Sequence, residues 1–153
     1  MRCKLLPLLL LPLTFSFSPT ACASTIDESQ ADPQIIQQLQ ARALQANPRE
    51  QCFLYTELVH AMTELAGHQM LAGEADQASN TLKQVEHYAQ LIHLGLASDT
   101  RRLKNAEMLM HHTTYRLSNY LHAASSDDKV VLQATLKQLD QIQNELLNQV
   151  FSH

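Results

Sequence analysis

Tryptophan is absent, glycine occurs three times and the aromatic share is only 5%, in a chain of 153 residues. So little glycine excludes collagen-like and glycine-rich low-complexity chains. It also excludes the phosphate-cradling and nucleophile-elbow loops, Gly-x-x-x-x-Gly-Lys, Gly-x-Gly-x-x-Gly and Gly-x-Ser-x-Gly, which three scattered glycines cannot supply. Cysteine is nearly as scarce. Two of the three, Cys3 and Cys22, fall in the first 23 residues, which leaves Cys52 without a partner and rules out a disulfide framework in the remainder. Proline is missing from every position after Pro48, and β-branched and aromatic residues are sparse there. Alanine, leucine, glutamine and glutamate fill the gap, and all four favour helix over strand.

The beginning of the chain reads as an address. Arg2 and Lys4 precede an apolar run from Leu5 to Phe17, too short for a membrane-spanning helix, and a small-x-small triplet follows at Ala21-Cys22-Ala23. This is the pattern of a secretory signal peptide over 1–23, cut before Ser24. It predicts an exported protein of the periplasm or extracellular space. Pro19-Thr20-Ala21-Cys22 also resembles a lipoprotein cleavage box, with Pro19 where that box carries leucine, so a lipid anchor at Cys22 and an outer-membrane location form the alternative. Residues 24–31 are polar and read as a flexible tail, and 32–153 as one helical domain. No later apolar run is long enough to span a bilayer. Loss of Arg2 and Lys4 with the leader takes the formal charge from −4 to −6, and the densest basic cluster is Arg101, Arg102 and Lys104. A phosphate backbone demands more, so nucleic acid is not an expected partner.

Five helices follow from caps and apolar spacing. Asp32 before Pro33 starts the first, over 33–46, with Ile35, Ile36, Leu39, Ala43 and Leu44 as its stripe. Asn47 before Pro48 repeats the signal, and Glu50 complements the positive end of the second helix. That helix carries Cys52, Tyr55, Leu58, Val59, Met62, Leu65, Ala66 and Met70 on one face and ends at Gly73 in a left-handed cap. The third runs over 74–94 with Ala78, Leu82, Val85, Ala89 and Ile92 inward and Gly95 as terminator. Ser98 or Asp99 caps the fourth, whose stripe includes Leu103, Ala106, Met110, Thr113, Leu117, Tyr120 and Leu121. After a turn at 125–128 the fifth displays Val131, Leu132, Thr135, Leu136, Leu139, Ile142, Leu146 and Val150. Short loops make sequential helices antiparallel neighbours, so the expected fold is all-α: an up-down bundle or two stacked α-hairpins, with the first helix alongside.

Within 59–92, Leu65-Ala66, the Gly73-Glu74 turn, Ala78 and Leu82 resemble one tetratricopeptide repeat hairpin, in which small residues let antiparallel helices approach closely. Met62, Gln69 and Gln90 stand where that family has Trp, Tyr and Pro, and no second copy follows at its period. A lone repeat cannot bury its own apolar face, so the resemblance implies a generic tight α-hairpin.

Eight histidines remain after the leader. His60, Glu64 and His68 share a helical face at steps of four, with Glu57 just before them, and imidazole with carboxylate is the donor set a divalent metal prefers. The stripe lies off the apolar face and is expected to face solvent, and its ends stand about 12 Å apart along the axis. Glu57-x-x-His60 resembles half of a ferritin-like di-iron motif, but no second Glu-x-x-His exists in the chain. His111 and His112 point about 100° apart and cannot chelate one ion from one face. Met62 and Met110 read as core, and Cys52 as a buried, inert thiol.

No nucleophile and base pair emerges, so no catalytic residue and no cofactor are expected. The leading expectation is a non-enzymatic interaction or structural component of the cell envelope, with self-association or a protein partner docking at Leu147 and Phe151 beyond the last core stripe. A histidine-rich helical bundle binding a divalent metal through His60, Glu64 and His68 is the alternative.

Overall fold

The computed structural model describes residues 32–96 and 101–152, and all regular structure among them is helical: α1 (Pro33–Gln45), α2 (Pro48–Leu71), α3 (Ala75–Gly95), α4 (Leu103–Ala123) and α5 (Ser126–Ser152). The fold is therefore all-α, as the spacing predicts. The signal-peptide, lipid-anchor and tail expectations, and Ser98 and Asp99, lie outside the described residues.

Local chemistry sets most boundaries. Asp32 Oδ1 accepts from the Gln34 amide at 2.8 Å, with Pro33 at the position where a missing donor costs nothing. Asn47 adopts the extended cap conformation without a side-chain bond, its carbonyl instead accepting from the Glu50 and Gln51 amides. α2 ends in a Schellman motif: the Glu74 amide reaches back to Gln69 O at 2.8 Å and the Gly73 amide to Met70 O at 3.0 Å. Gly73 takes φ +79°, the one described glycine in the left-handed region. Gly95 is different. It is the last residue of α3, and Leu96 stays helical while its amide bonds to Ile92 O and His93 O. At the start of α4 the residue before Leu103 is Arg102, left-handed at φ 61°, with its guanidinium 3.5 Å from the centre of the Phe53 ring. That stacking helps hold a backbone conformation that costs roughly 1–2 kcal/mol for a residue with a side chain.

The helices form two hairpins, α2–α3 and α4–α5, stacked side by side. Phe53 meets Arg102, His60 meets Thr113 and Glu64 meets Arg116, so α2 and α4 rise together in parallel. Glu86 with Thr135 and His93 with Glu145 show the same parallel register between α3 and α5. The four axes close a ring in the order α2, α3, α5, α4, with α3 and α4 on a diagonal and not touching, while α1 packs against α2 alone. Of the two arrangements expected from sequence, the stacked hairpins are the one adopted.

The core runs along the ring axis through Leu58, Met62, Leu82, Val85, Ile92, Met110, Leu117, Leu132, Leu139 and Leu146. Threonines sit inside it at no polar cost. Thr56, Thr63 and Thr113 each return the hydroxyl proton to the carbonyl four residues earlier, at 2.7–2.9 Å, and the Thr135 hydroxyl is shared between Glu86 Oε1 at 2.9 Å and Val131 O at 3.1 Å. The burden of burial is unequal. Thirteen of the 24 residues of α2 are buried against five of the 27 in α5, because α1, α3 and α4 all pack on α2. No helix among the described residues is long and apolar enough to cross a membrane.

Candidate functional site

The face of α2 that carries Glu57, His60, Glu64 and His68 was expected to meet solvent, and its middle, at His60 and Glu64, does not, while Glu57 and His68 are half-buried. His60 is 5% exposed and Glu64 fully covered, because α4 lies in parallel along that face. A pattern of apolar spacing assigns one inward side per helix, and α2 is packed from three.

Glu64 is held by three donors from α4. Arg116 Nε reaches Oε1 at 2.7 Å, Arg116 Nη2 reaches Oε2 at 2.6 Å, and the Tyr120 hydroxyl donates to Oε2 at 2.7 Å. Nη2 also donates to the Tyr120 oxygen at 3.0 Å, which closes the network. Burial alone would raise the Glu64 carboxyl; the hydrogen bonds from Arg116 and Tyr120, and the nearby charges of Arg116 and His60, outweigh it and hold the group below the usual carboxylate range. Gly67 makes this geometry possible, since a Cβ there would lie 2.2–2.5 Å from three atoms of the Tyr120 ring. One turn earlier, Thr113 Oγ1 gives its proton to Leu109 O at 2.7 Å, so His60 Nδ1 donates to the hydroxyl oxygen at 3.0 Å. The His112 ring packs against His60 with centroids 5.3 Å apart.

These contacts decide what the predicted metal residues do. Glu64 spends both oxygens on Arg116 and Tyr120, and His60 Nδ1 on Thr113, while His68 stands a further turn along, half-buried. Among the described residues no three His, Cys, Asp or Glu side chains converge on a point that would hold an ion. His111 turns toward Gln143, at 2.9 Å, and His112 toward His60, so the adjacent pair diverges as helical geometry requires. Cys52 is buried and its thiol is pushed up to about 12 by loss of solvation, which removes thiolate chemistry at ordinary pH. Met62 and Met110 fill the core.

Two surface features remain. Between α1, α2 and α4 lies a cavity of about 290 Å³ walled by Ile35, Leu39, Ala61 and Leu109, with Glu57 and His60 as its polar members. Glu57 Oε2 is covered by protein and has no hydrogen-bond partner, and burial pushes the carboxyl up against the partial offset of Arg42 and Arg102. The second feature is at the shared C-terminal end of α3 and α5, where a shallow depression of about 530 Å³ is lined by His93, Leu94, Leu96, Glu145, Asn148 and Gln149. There His93 Nδ1 donates to Glu145 Oε2 at 2.6 Å, and Gln141 holds the other oxygen at 3.1 Å. Phe151 is 81% exposed, Leu94 64% and Leu147 36%.

Sequence reasoning did not find the Glu64–Arg116–Tyr120 network. Arg116 and Tyr120 stand 52 and 56 residues from Glu64. Only their spacing of four on α4 hinted at a shared face. Comparison with protein-family models, curated proteins and solved structures gives no match. The class of protein rests on the fold: two stacked α-hairpins with a polar seam between their first helices.

Proposed function

We propose that the chain is an exported, non-enzymatic interaction or structural component of the cell envelope, periplasmic or extracellular, that works by docking a protein partner or a second copy of itself. The observation that carries this reading is that Leu147 and Phe151, four positions apart on α5, remain exposed, as does Leu94 near the end of α3. Large apolar side chains left in water lower their free energy by association. The polar atoms that do touch one another in the interior are saturated by their neighbours, as at Glu64, which suits a scaffold.

The test is sedimentation velocity and chemical cross-linking of the tag-free protein isolated from its own envelope fraction, against the triple variant Leu94→Ser, Leu147→Ser, Phe151→Ser. The parent is expected to sediment as a dimer or hetero-complex and the variant as a monomer with unchanged far-UV circular dichroism. A parent that is monomeric and cross-links to nothing refutes the reading. The intact mass decides the address: a chain beginning at Ser24 marks simple cleavage, and a lipid on Cys22 marks a membrane tether.

A further inference from the structure

α1 is attached to the body of the protein more weakly than any other element. It packs against α2 alone, with only Ile36 and Ala43 fully buried, and Gln51 Nε2 on Ala43 O at 3.1 Å is its side-chain tie to α2. Toward α4 it has no close packing, because the cavity walled by Ile35, Leu39 and Leu109 separates the two helices. α1 thus lies outside the four-helix ring, whose helix pairs close without it. In the wall of that cavity lies Glu57, whose Oε2 is covered by protein atoms and receives no hydrogen bond from them. A native fold that leaves such an atom unsatisfied stores a cost at that point, and the cost is released when water gains access.

We propose that α1 is a pH-gated strap, which opens from α2 as a unit while the ring stays folded, and that ionisation of Glu57 favours the open state. The charged and titratable groups that face Glu57 are Arg42 from α1, Arg102 at the start of α4, and His60 on α2, itself in contact with His112 of α4. Arg42 and Arg102 attract the carboxylate, and neither supplies a hydrogen bond to Oε2. Burial outweighs them and pushes the closed-state carboxyl up. The closed form thus binds the Glu57 proton more tightly than the open form. By linkage, raising the pH from the ordinary carboxylate range through the raised value opens α1, and the effect levels off above it. The strap is a device of the fold distinct from the exposed apolar residues of α3 and α5, so it stands or falls separately from the docking reading.

Amide hydrogen exchange of the full mature chain between pH 4 and 8, corrected for the intrinsic rate at each pH, tests it. Residues 37–45 are expected to exchange through a local opening that grows several-fold with pH, while core amides of α3 and α5 keep their protection. Glu57→Gln should flatten the pH dependence of α1 alone, and Glu57→Met should do the same while also lowering the open population. A pH-independent α1, an undiminished slope in both variants, or α1 exchange that tracks α3 at every pH would overturn the proposal.

Discussion

Removing Arg116 should cost this protein more than removing Glu64, although the two form a single ion pair. Glu64 is fully covered, whereas the Arg116 side chain keeps 26% of its surface in water. When Glu64→Ala deletes the carboxylate, the guanidinium can turn outward and rehydrate, so the loss should sit near the lower end for a broken buried pair, about 3 kcal/mol. When Arg116→Ala deletes the cation, the carboxylate is left with the Tyr120 hydroxyl as its one remaining donor in a site water does not reach. That should cost about 4–5 kcal/mol. The double variant Glu64→Leu, Arg116→Leu, which removes both charges and refills the space, should return to within about 1 kcal/mol of the parent. Urea unfolding followed by far-UV circular dichroism reads all three, and each kcal/mol corresponds to a shift of about 3–5 °C in Tm at this size. The pH dependence has a definite sign. Because the folded Glu64 carboxyl lies below its unfolded value, its contribution is complete above the usual carboxylate range and is lost as the pH falls through the depressed value. Glu64→Ala should therefore lose its disadvantage in acid. An Arg116→Ala protein more stable than Glu64→Ala, or a double variant as unstable as the worse single one, would refute the reasoning.

Three further outcomes follow from the same geometry. Gly67→Ala should destabilise by about 2–3 kcal/mol, since the new Cβ meets the Tyr120 ring at 2.2 Å; in a Tyr120→Ala background the same change should instead stabilise by about 0.5–1 kcal/mol, as alanine does in any open helix position. Gly73→Ala meets no atom within 4 Å and pays only for φ +79°, about 1 kcal/mol, and Gly73→Asn should cost less; thermal unfolding of the pair separates backbone strain from steric clash. Cys52, buried with its thiol pushed up to about 12, should resist a thiol-directed disulfide reagent at pH 8 and react at the rate of unfolding, which a denaturant series measures; fast labelling of the native protein would contradict the burial.

How far the sequence carries depends on how many neighbours an element has. For α3 and α5 the apolar stripe is the buried face. Ala78, Leu82, Val85, Ala89 and Ile92 are all inward, as are Leu132, Leu139, Ile142 and Leu146. Boundaries at Asp32-Pro33 and Gly73 were legible too, because caps and turns are satisfied by residues within a few positions of one another. The start of α4 was not, because Arg102 reaches its left-handed conformation by stacking on Phe53, 49 positions away. α2 defeated the pattern for the same kind of reason. Its polar residues at 57, 60 and 64 look like a solvent face until α4 is laid along them, and nothing local to α2 announces Arg116 or Tyr120.

The sequence alone therefore determined that the chain is helical, where its first three helices begin to within a residue and which residues line three helices, since backbone propensity, capping and amphipathic spacing are satisfied within a turn or two; the expected turn at 125–128 is instead the first turn of α5. Tertiary structure alone decided that α2 and α4 lie side by side, that Glu64 serves Arg116 and Tyr120 instead of facing solvent, and that Glu57 Oε2 is left without a donor beside α1. Those outcomes depend on which helix faces lie against each other, and the free energy that selects among such pairings is summed over the whole packed core.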